Sequence, residues 1–202
     1  MSRRVVLATR NPHKVAELHR ILIQAGLDIE ILGTDATAGL PEVEETGSTF
    51  AANALLKASA ICAATGLPAI ADDSGLAVDA LNGMPGVLSA RWAGRHGDDQ
   101  ANLELLLGQL AQVPANRRGA AFHCAAALVL PDGTERVVEG SIDGTLIEEP
   151  RGMNGFGYDP IFVPLGEGRT TAEMSPDEKD AISHRGRALR ALVPVLRELL
   201  DC

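Results

Sequence analysis

The sequence predicts an α/β fold with a mixed central sheet flanked by helices, and three observations favour it. Short apolar segments typical of strands alternate with helical patterns in the first half of the chain. A hairpin pattern follows, in which apolar residues 120–130 and 134–141 flank Pro131, Asp132 and Gly133. The 202 residues, 46% hydrophobic and 22% charged, suffice for one globular domain with its own core. Helices between early strands and a later hairpin are typical of a mixed sheet.

The chain begins with a predicted strand over residues 3–9 and a helix that starts at Pro12. Asn11 is a favoured N-cap, Pro is favoured at the first helical position, and Gly26 is typical of a helix end. A second strand is predicted over residues 28–33. A polar loop then leads to the next helix.

That second helix is predicted over residues 49–65, and Asn53 and Lys57 share one of its faces because they are four residues apart. A short buried strand over residues 69–71 is predicted to end where Asp72 and Asp73 begin. The glycine-rich stretch 82–97 predicts a loop.

Three further elements are predicted after that loop. Asp98 caps a helix that runs to about residue 112, and the hairpin described above comes next. Residues 175–178 form a capping box, and a final helix covers residues 183–200. No linker separates independent domains, so we expect residues 1–202 to form a single domain.

The net charge of −9 argues against binding of long nucleic acids, because an acidic protein repels their phosphates. The three cysteines form no CxxC pair, which favours reduced thiols. The first strand starts too early for a signal peptide, and no uncharged apolar run is long enough for a membrane span. We therefore expect a cytoplasmic protein with no nucleic-acid or membrane partner.

The turn after the first strand has the composition of a phosphate site. It holds Thr9, Arg10, Asn11, Pro12, His13 and Lys14. The N–H groups at a helix start are unpaired and attract anions. A cation there opposes the helix dipole, so a bound phosphate explains Lys14 better than helix stability does. The alternative is that Asn11 only caps the helix and Lys14 only faces solvent.

Acidic residues occur in two separate segments, Glu42, Glu44 and Glu45 in one and Asp72 and Asp73 in the other. Adjacent aspartates at a strand end are poor for stability, yet this edge of an α/β sheet is where ligands bind. Carboxylates suit Mg²⁺, which also bridges to phosphates, and one of them could deprotonate a water. The alternative is a turn-forming aspartate pair and a solvated glutamate run.

Two later segments could hold a nucleotide base. The glycine-rich loop 151–159 carries Phe156 and Tyr158, whose planar faces could stack on a base. Lys179 and the nearby Arg185 are cations, and an arginine can donate a fork of hydrogen bonds to phosphate or to a base carbonyl. The alternatives are a tight turn with a buried aromatic and a cluster of surface cations.

Taken together, these segments resemble the inosine triphosphate pyrophosphatase family, also called the Ham1 or RdgB family. The matching stretches include LATRNPHKVAEL, ADDSGL, GFGYDPIF and SHRG, in family order over nearly the whole chain. The resemblance implies an elongated α/β fold of two lobes with the active-site cleft between them, usually as a homodimer. It also implies Mg²⁺-dependent hydrolysis of ITP, dITP and XTP to the monophosphate and pyrophosphate.

The resemblance assigns roles to individual residues. Asp73 would be the catalytic base and a metal ligand, supported by Asp72 and by Glu44 and Glu45, either of which could be the direct ligand. The triphosphate would be bound by Thr9, Arg10, Asn11, Pro12, His13 and Lys14, with Asn11 and Lys14 as the main contacts. Lys57, a further substrate-binding residue, would neutralise or position a carboxylate or a phosphate. Ser74 would lie beside the substrate. The base and sugar would be held by Phe156, Gly157, Tyr158 and Asp159, and the purine would be read by Lys179, His184 and Arg185. At position 10 many family members carry a small residue, so Arg10 could add a phosphate contact.

Three other functions compete with this one. A Maf-type enzyme acting on pyrimidine triphosphates also starts with a strand, a polar turn and a helix. A nucleotide sensor without catalysis would bind phosphate but would gain nothing from several carboxylates beside an anion. A nucleic-acid module ranks last because of the net charge.

Overall fold

The first part of the chain builds the parallel half of the sheet. The computed structural model describes residues 3–9, 12–33 and 43–200. Strand β1 (Arg3–Leu7) pairs in parallel with β2 (Ile29–Gly33) over five residue pairs, and helix α1 (Pro12–Gln24) connects them. A parallel pair requires such a crossover connection, and the chain turns after α1 at Gly26, whose φ is +69°.

Helix α2 (Phe50–Thr65) and strand β3 (Ala69–Val78) complete this half. The helix begins where the Thr49 hydroxyl accepts from the backbone N–H of Ala52, and it ends at Gly66 in the left-handed conformation. The start of β3 pairs in parallel with the free edge of β1.

The second part of the chain adds antiparallel strands. Strand β4 (Met84–Pro85) pairs with β3, and β5 (Gly119–Val129) and β6 (Glu135–Leu146) are neighbours in the sheet. Strand β7 (Phe162–Pro164) pairs with the end of β6. The strand order is β2-β1-β3-β5-β6-β7, so the sheet is mixed, as predicted. Three further α-helices of the described residues are α3 (Asp99–Leu110), α4 (Pro176–Ile182) and α5 (His184–Leu199).

The chain divides into two compact units. Unit 1 consists of Met1–Asp73, Cys124–Gly140 and Arg185–Cys202. Unit 2 consists of Ser74–His123 and Ser141–His184. Each unit has its own hydrophobic core.

Unit 1 has a cluster on each face of its sheet, because successive strand residues point to opposite faces. Leu18 and Leu22 of α1 and Leu192 of α5 pack on one face. Ala54 and Ala58 of α2 pack on the other, against small residues such as Ala69 and Ala71. Helices on both faces of a parallel sheet are typical of α/β proteins.

Unit 2 has one aromatic-rich core, which contains Phe122, Tyr158 and Phe162 with Leu106 of α3. The rings of Phe122 and Phe162 meet edge to face, with centroids 4.7 Å apart. Five of the six aromatic residues of the sequence belong to this unit: Trp92, Phe122, Phe156, Tyr158 and Phe162.

Two predictions of secondary structure are wrong. Strand β3 does not end before Asp72 but continues to Val78, so both aspartates lie within it. The stretch 82–97 is not a plain loop, since it contains β4 and a 3-10 helix, Gly86–Arg91. The Ser89 hydroxyl supports that helix by donating to the Gly86 carbonyl at 2.6 Å and accepting from the Leu76 N–H at 2.9 Å.

The other predicted helices and the hairpin are confirmed, with ends shifted by one or two residues, except that β6 runs five residues beyond the predicted end. Cys62 and Cys124 are buried free cysteines, and Cys202 lies outside the described residues. None of the helices in the described ranges is both long and apolar enough to cross a membrane.

Candidate active site

The alternation of side chains along β3 decides where its two aspartates lie. Ile70 packs in the cluster with α1 and α5, whereas Ala71 packs in the cluster with α2. Asp72 therefore shares the α1 and α5 face, and Asp73 shares the α2 face. The two carboxylates do not crowd on one face, and each meets a different set of cations.

Asp72 is the centre of a buried charge network. Lys14 Nζ donates to Asp72 Oδ2 at 2.7 Å, and Arg185 Nε lies 3.5 Å from the same oxygen. Glu17, one turn after Lys14 on α1, holds the other side of the guanidinium, with Oε2 3.1 Å from Arg185 Nη1. Burial opposes the charge on Asp72, but Arg185 and Lys14 outweigh it and hold its pKa well below the usual value. Asp72 is therefore a fixed anion that orients two cations.

Asp73 has a different environment, provided by α2. Asn53 Nδ2 donates to Asp73 Oδ2 at 3.0 Å, and Lys57 Nζ lies 3.6 Å from Oδ1. The face shared by Asn53 and Lys57 was predicted from their spacing, and it is the face that meets β3. Burial raises the pKa of Asp73, the charge of Glu45 raises it further, and Lys57 and Asn53 only partly offset this. A raised pKa makes a carboxylate a better proton acceptor near neutral pH.

Lys57 brings the second acidic segment to Asp73. Its Nζ donates to Glu45 Oε1 at 2.8 Å while it faces Asp73. Burial lowers the pKa of Lys57, but the charges of Asp73 and Glu45 outweigh this and raise it. Glu44 is exposed, and Glu42 lies outside the described residues. Of the glutamates that the structure describes, Glu45 is the one tied to Asp73 through a shared cation.

The carboxylates of Asp73 and Glu45 both lie close to Lys57 Nζ, so they are near enough to each other to be considered as ligands of a divalent metal ion. In the described part of the chain, no group of three or more His, Cys, Asp or Glu side chains is arranged to hold a metal. Mg²⁺ commonly uses only one or two carboxylates and takes its other ligands from water and phosphates. The donor chemistry of this pair therefore fits a divalent ion bound together with a polyphosphate.

Unit 2 contains a cavity of about 100 Å³. Its lining combines aromatic, charged and small residues: Ser74, Gly75, Ser89, Ala90, Asp99, Asn102, Phe122, Phe156, Gly157, Tyr158, Asp159, Lys179 and His184. All predicted base-site residues except Arg185 are in this set. A mostly apolar cavity with a few polar groups is typical of a small-molecule site.

The two aromatic residues of the glycine-rich loop have different environments. Phe156 is 56% exposed, and Lys179 Nζ lies 5.1 Å from the centre of its ring. Tyr158 is only 4% exposed, and its hydroxyl donates to the backbone carbonyl of Ser89 at 2.8 Å. Burial raises the pKa of Tyr158, so it stays protonated. Phe156 is the ring available for stacking, and Tyr158 is a core residue at the pocket wall.

Asp159 fixes the shape of this loop. Its Oδ2 accepts from the Phe156 N–H at 2.8 Å and from Lys179 Nζ at 2.5 Å, and its Oδ1 accepts from the Thr171 hydroxyl. A side chain at Gly155, whose φ is +77°, would collide with the same carboxylate. Asp159 therefore holds Phe156 and Lys179 in place by bonding to both.

His184 and Arg185 are adjacent in sequence but have different partners. His184 stacks on Phe122 in unit 2, with ring centroids 4.8 Å apart and planes at 11°. Arg185 belongs to unit 1 and binds Glu17 and Asp72. Two buried carboxylates hold the guanidinium of Arg185, and its predicted role in reading the purine stays a prediction.

The first predicted motif is described only in part. Arg10 and Asn11 lie outside the described residues, as do the side chains of Pro12 and His13. Thr9 follows β1, and its N–H donates to the Leu7 carbonyl at 2.8 Å. Lys14 is the residue of this motif whose side-chain contact is described, and that contact places Lys14 beside Asp72.

Several residues of these two sites were given no functional role from the sequence, among them Glu17, Asn53, Asp99 and Phe122. The spacing of Asn53 from Lys57 was a usable signal, and so was that of Glu17 from Lys14, which puts both on one face of α1. Asp99, which accepts from the Gly157 N–H at 2.9 Å, and Phe122 gave no local signal, because their partners are distant in sequence.

The fold and these clusters define an α/β protein whose central strand carries two buried aspartates, each paired with a lysine. The Ham1 family model matches residues 5–195. A dITP/XTP pyrophosphatase of Streptomyces coelicolor is 66% identical over 197 residues, 98% of each chain. One of Mycobacterium tuberculosis is 58% identical over 97% of this chain and 96% of its own.

Solved structures of similar proteins match the fold of this chain. The crystal structure of a nucleoside-triphosphatase, dITP/XTP pyrophosphatase, from Mycobacterium abscessus is 58% identical with a TM-score of 0.80, and the match covers 96% of this chain and 100% of that one. A HAM1 protein from Coxiella burnetii is 44% identical with a TM-score of 0.89, covering 97% and 99%. The chain belongs to the Ham1 family.

Proposed function

We propose that this protein hydrolyses the non-canonical purine nucleoside triphosphates dITP, ITP and XTP to the monophosphate and pyrophosphate, which keeps them out of DNA and RNA. The names of relatives up to 66% identical over almost the full chain support this substrate class. The observation that carries the proposal is Asp73, a buried carboxylate with a raised pKa that faces the Lys57–Glu45 pair.

The chemistry follows from these groups. Asp73 accepts a proton from a water molecule, whose oxygen then bonds to the α-phosphorus. The bond between the α-phosphorus and the bridging oxygen breaks, and pyrophosphate leaves with that oxygen. Lys14 and Lys57 offset the negative charge of the phosphates, and Asp72 holds Lys14 in position.

A divalent metal ion is expected in hydrolases of this family, and we propose that it is Mg²⁺. Asp73 and Glu45 would hold it, since their carboxylates already converge on one cation. When bound, the ion would neutralise charge on the triphosphate. Lys57 would then orient the two carboxylates from one side.

The cavity of unit 2 is suited to a 6-keto purine. The exposed face of Phe156 can stack on the base, which any purine would satisfy. Lys179 adds discrimination, because an ammonium group only donates hydrogen bonds. A 6-keto oxygen accepts such a hydrogen bond. The 6-amino group of adenine is itself a donor, so it would place its N–H groups against those of Lys179.

A substrate panel tests the function. Release of pyrophosphate from dITP, XTP, dGTP, dTTP and UTP would be quantified with Mg²⁺ and with EDTA. We expect dITP and XTP to be turned over fastest, with no pyrophosphate released in EDTA. Preference for dTTP or UTP would support the Maf-type alternative, and nucleotide binding without release of pyrophosphate would support a sensor.

We also propose that the protein is a homodimer, as the family resemblance implies. Size-exclusion chromatography with light scattering would test this. A mass near twice the 21.2 kDa of the chain is expected, and a mass of one chain at micromolar concentration would contradict it.

A further inference from the structure

Asn53 is a polar side chain with no exposed surface, and the chemistry described so far does not use it. It lies on α2, one turn before Lys57. Its Nδ2 donates to Asp73 Oδ2 at 3.0 Å, and its Oδ1 accepts from the backbone N–H of Gly47 at 2.7 Å. One amide group therefore bonds to the acid on β3 and to the backbone two residues after Glu45.

The chemistry of the two partners requires an amide. The ionised Asp73 carboxylate only accepts hydrogen bonds, and the Gly47 N–H only donates one, so the residue between them must donate on one side and accept on the other. An aspartate at position 53 would repel Asp73, and an aliphatic residue would leave both partners unbonded in a buried place.

The backbone at Gly47 is fitted closely to this side chain. A Cβ at residue 47 would lie 2.7 Å from Asn53 Oδ1 and 2.8 Å from the Ala52 Cβ. Glycine therefore permits the acidic segment to approach α2 closely enough for the hydrogen bond. Because Gly47 lies this close to α2, Glu45 is near enough to accept a hydrogen bond from Lys57.

We propose that Asn53 is a positioning residue for the hydrolytic reaction, which fixes the Asp73 carboxylate and the Glu45 segment relative to each other through one amide. The inference rests on the proposed function for its kinetic consequence. With Oδ2 held by Asn53, the other oxygen of Asp73 faces Lys57, so the orientation of the carboxylate is set before substrate binds.

Two variants separate the two hydrogen bonds. Asn53→Asp has nearly the same shape and keeps the acceptor for the Gly47 N–H, but it replaces the donor to Asp73 with a carboxylate that repels Asp73. Asn53→Ala loses both. Thr49→Ala is the matched control, because it removes the N-cap of the same helix without touching Asp73.

The measurements are kcat and KM for dITP and the hydrogen-exchange rate of the Gly47 amide by NMR. We expect Asn53→Asp to stay folded and lose about 100-fold in kcat, with KM for dITP changed by less than about threefold. Asn53→Ala should lose as much kcat and also exchange the Gly47 amide about tenfold faster. Thr49→Ala should lower the melting temperature and leave kcat within about twofold of wild type.

Wild-type kcat in a folded Asn53→Asp protein would overturn the positioning role, and so would a change confined to KM. Unchanged exchange at Gly47 in Asn53→Ala would overturn the link to the acidic segment. If the wild-type protein released no pyrophosphate from dITP, the proposed function would fail instead. The exchange data would still decide whether Asn53 holds that segment.

Discussion

Asp72 and Asp73 have the same side chain, are adjacent in β3 and are both buried, yet their pKa values move in opposite directions. Burial alone would raise both. Asp72 meets two cations on its face of the sheet, and these outweigh burial. Asp73 shares Lys57 with Glu45, whose negative charge offsets part of the effect of the lysine on the pKa of Asp73. Asp72 is therefore an anion that holds cations, whereas Asp73 is a carboxylate that can accept a proton.

The first prediction concerns that proton. Asp73→Asn removes the acceptor while keeping the shape, and a general base contributes about 10²–10⁴-fold to a rate. We expect kcat for dITP to fall by about 10³-fold, with an unchanged circular dichroism spectrum. Activity within a few-fold of wild type would exclude Asp73 as the base.

The second prediction compares the two aromatic residues of the glycine-rich loop. Phe156→Ala should lower kcat/KM for dITP by about 10- to 100-fold, since loss of base stacking on an aromatic ring costs about 1–3 kcal/mol. Tyr158→Phe keeps the ring but leaves the buried Ser89 carbonyl without its donor, which costs about 1–3 kcal/mol of stability. Kinetics with dITP and urea unfolding would measure the two effects.

The opposite pattern would contradict this assignment. If Tyr158→Phe changed KM for dITP and Phe156→Ala did not, the Tyr158 hydroxyl rather than the Phe156 ring would contact the base. Phe156→Trp serves as the control, because it keeps an exposed aromatic face and should retain kcat/KM.

Among the helices, α4 is the short one that carries Lys179 of the unit 2 cavity. Helix α4 has only seven residues, and such a helix depends on its caps and on packing. The Ser175 hydroxyl accepts from the Glu178 N–H at 3.3 Å, and Glu178 accepts from the Ser175 N–H at 2.8 Å. The hydrogen bond from the Ser175 backbone is the main reason that the pKa of Glu178 falls to about 2.

The third prediction follows from this capping box. Ser175→Ala should destabilise the protein by about 1 kcal/mol. In a protein of this size that corresponds to a melting temperature lower by about 2–4 °C. Ser175→Thr should restore most of the loss, because threonine also caps helices. Calorimetry on the three proteins would check it, and an unchanged melting temperature in Ser175→Ala would show that packing alone fixes α4.

At the scale of the whole molecule, the network of Lys14, Asp72, Arg185 and Glu17 links stability to pH. The folded pKa of Asp72 lies below the unfolded value. Its contribution to stability is therefore present above the unfolded pKa of about 4 and is lost as pH falls toward the folded pKa.

The fourth prediction tests this linkage with Asp72→Asn. Removing one partner of a buried ion pair should cost about 3 kcal/mol at pH 7. The difference in unfolding free energy between wild type and variant should shrink as pH drops below about 4. Urea unfolding at several pH values measures it. A difference that stayed constant down to pH 2 would mean that Asp72 is not held ionised by its cations.

Much of the architecture was predictable because its signals are local. Caps, glycine stops and apolar periodicity placed the main helices, and the Pro131–Gly133 turn placed the hairpin. Local signals failed at β3, where aspartates disfavour a strand but ion pairs to distant cations compensate. They failed again at the stretch 82–97, where the Ser89 hydroxyl supports a 3-10 helix.

The residue types of the site are readable in the motifs: the lysines, the acids and the glycine-rich loop occur at spacings typical of phosphate and metal chemistry. Their partners are set by the tertiary fold, which pairs Asp72 with Lys14 and Arg185 and pairs Asp73 with Asn53. The fold also leaves the ring of Phe156 exposed and buries that of Tyr158. The physical reason is that burial and charge pairing arise from residues far apart in the chain. Two neighbouring aspartates acquire different roles only when the sheet turns them toward different helices.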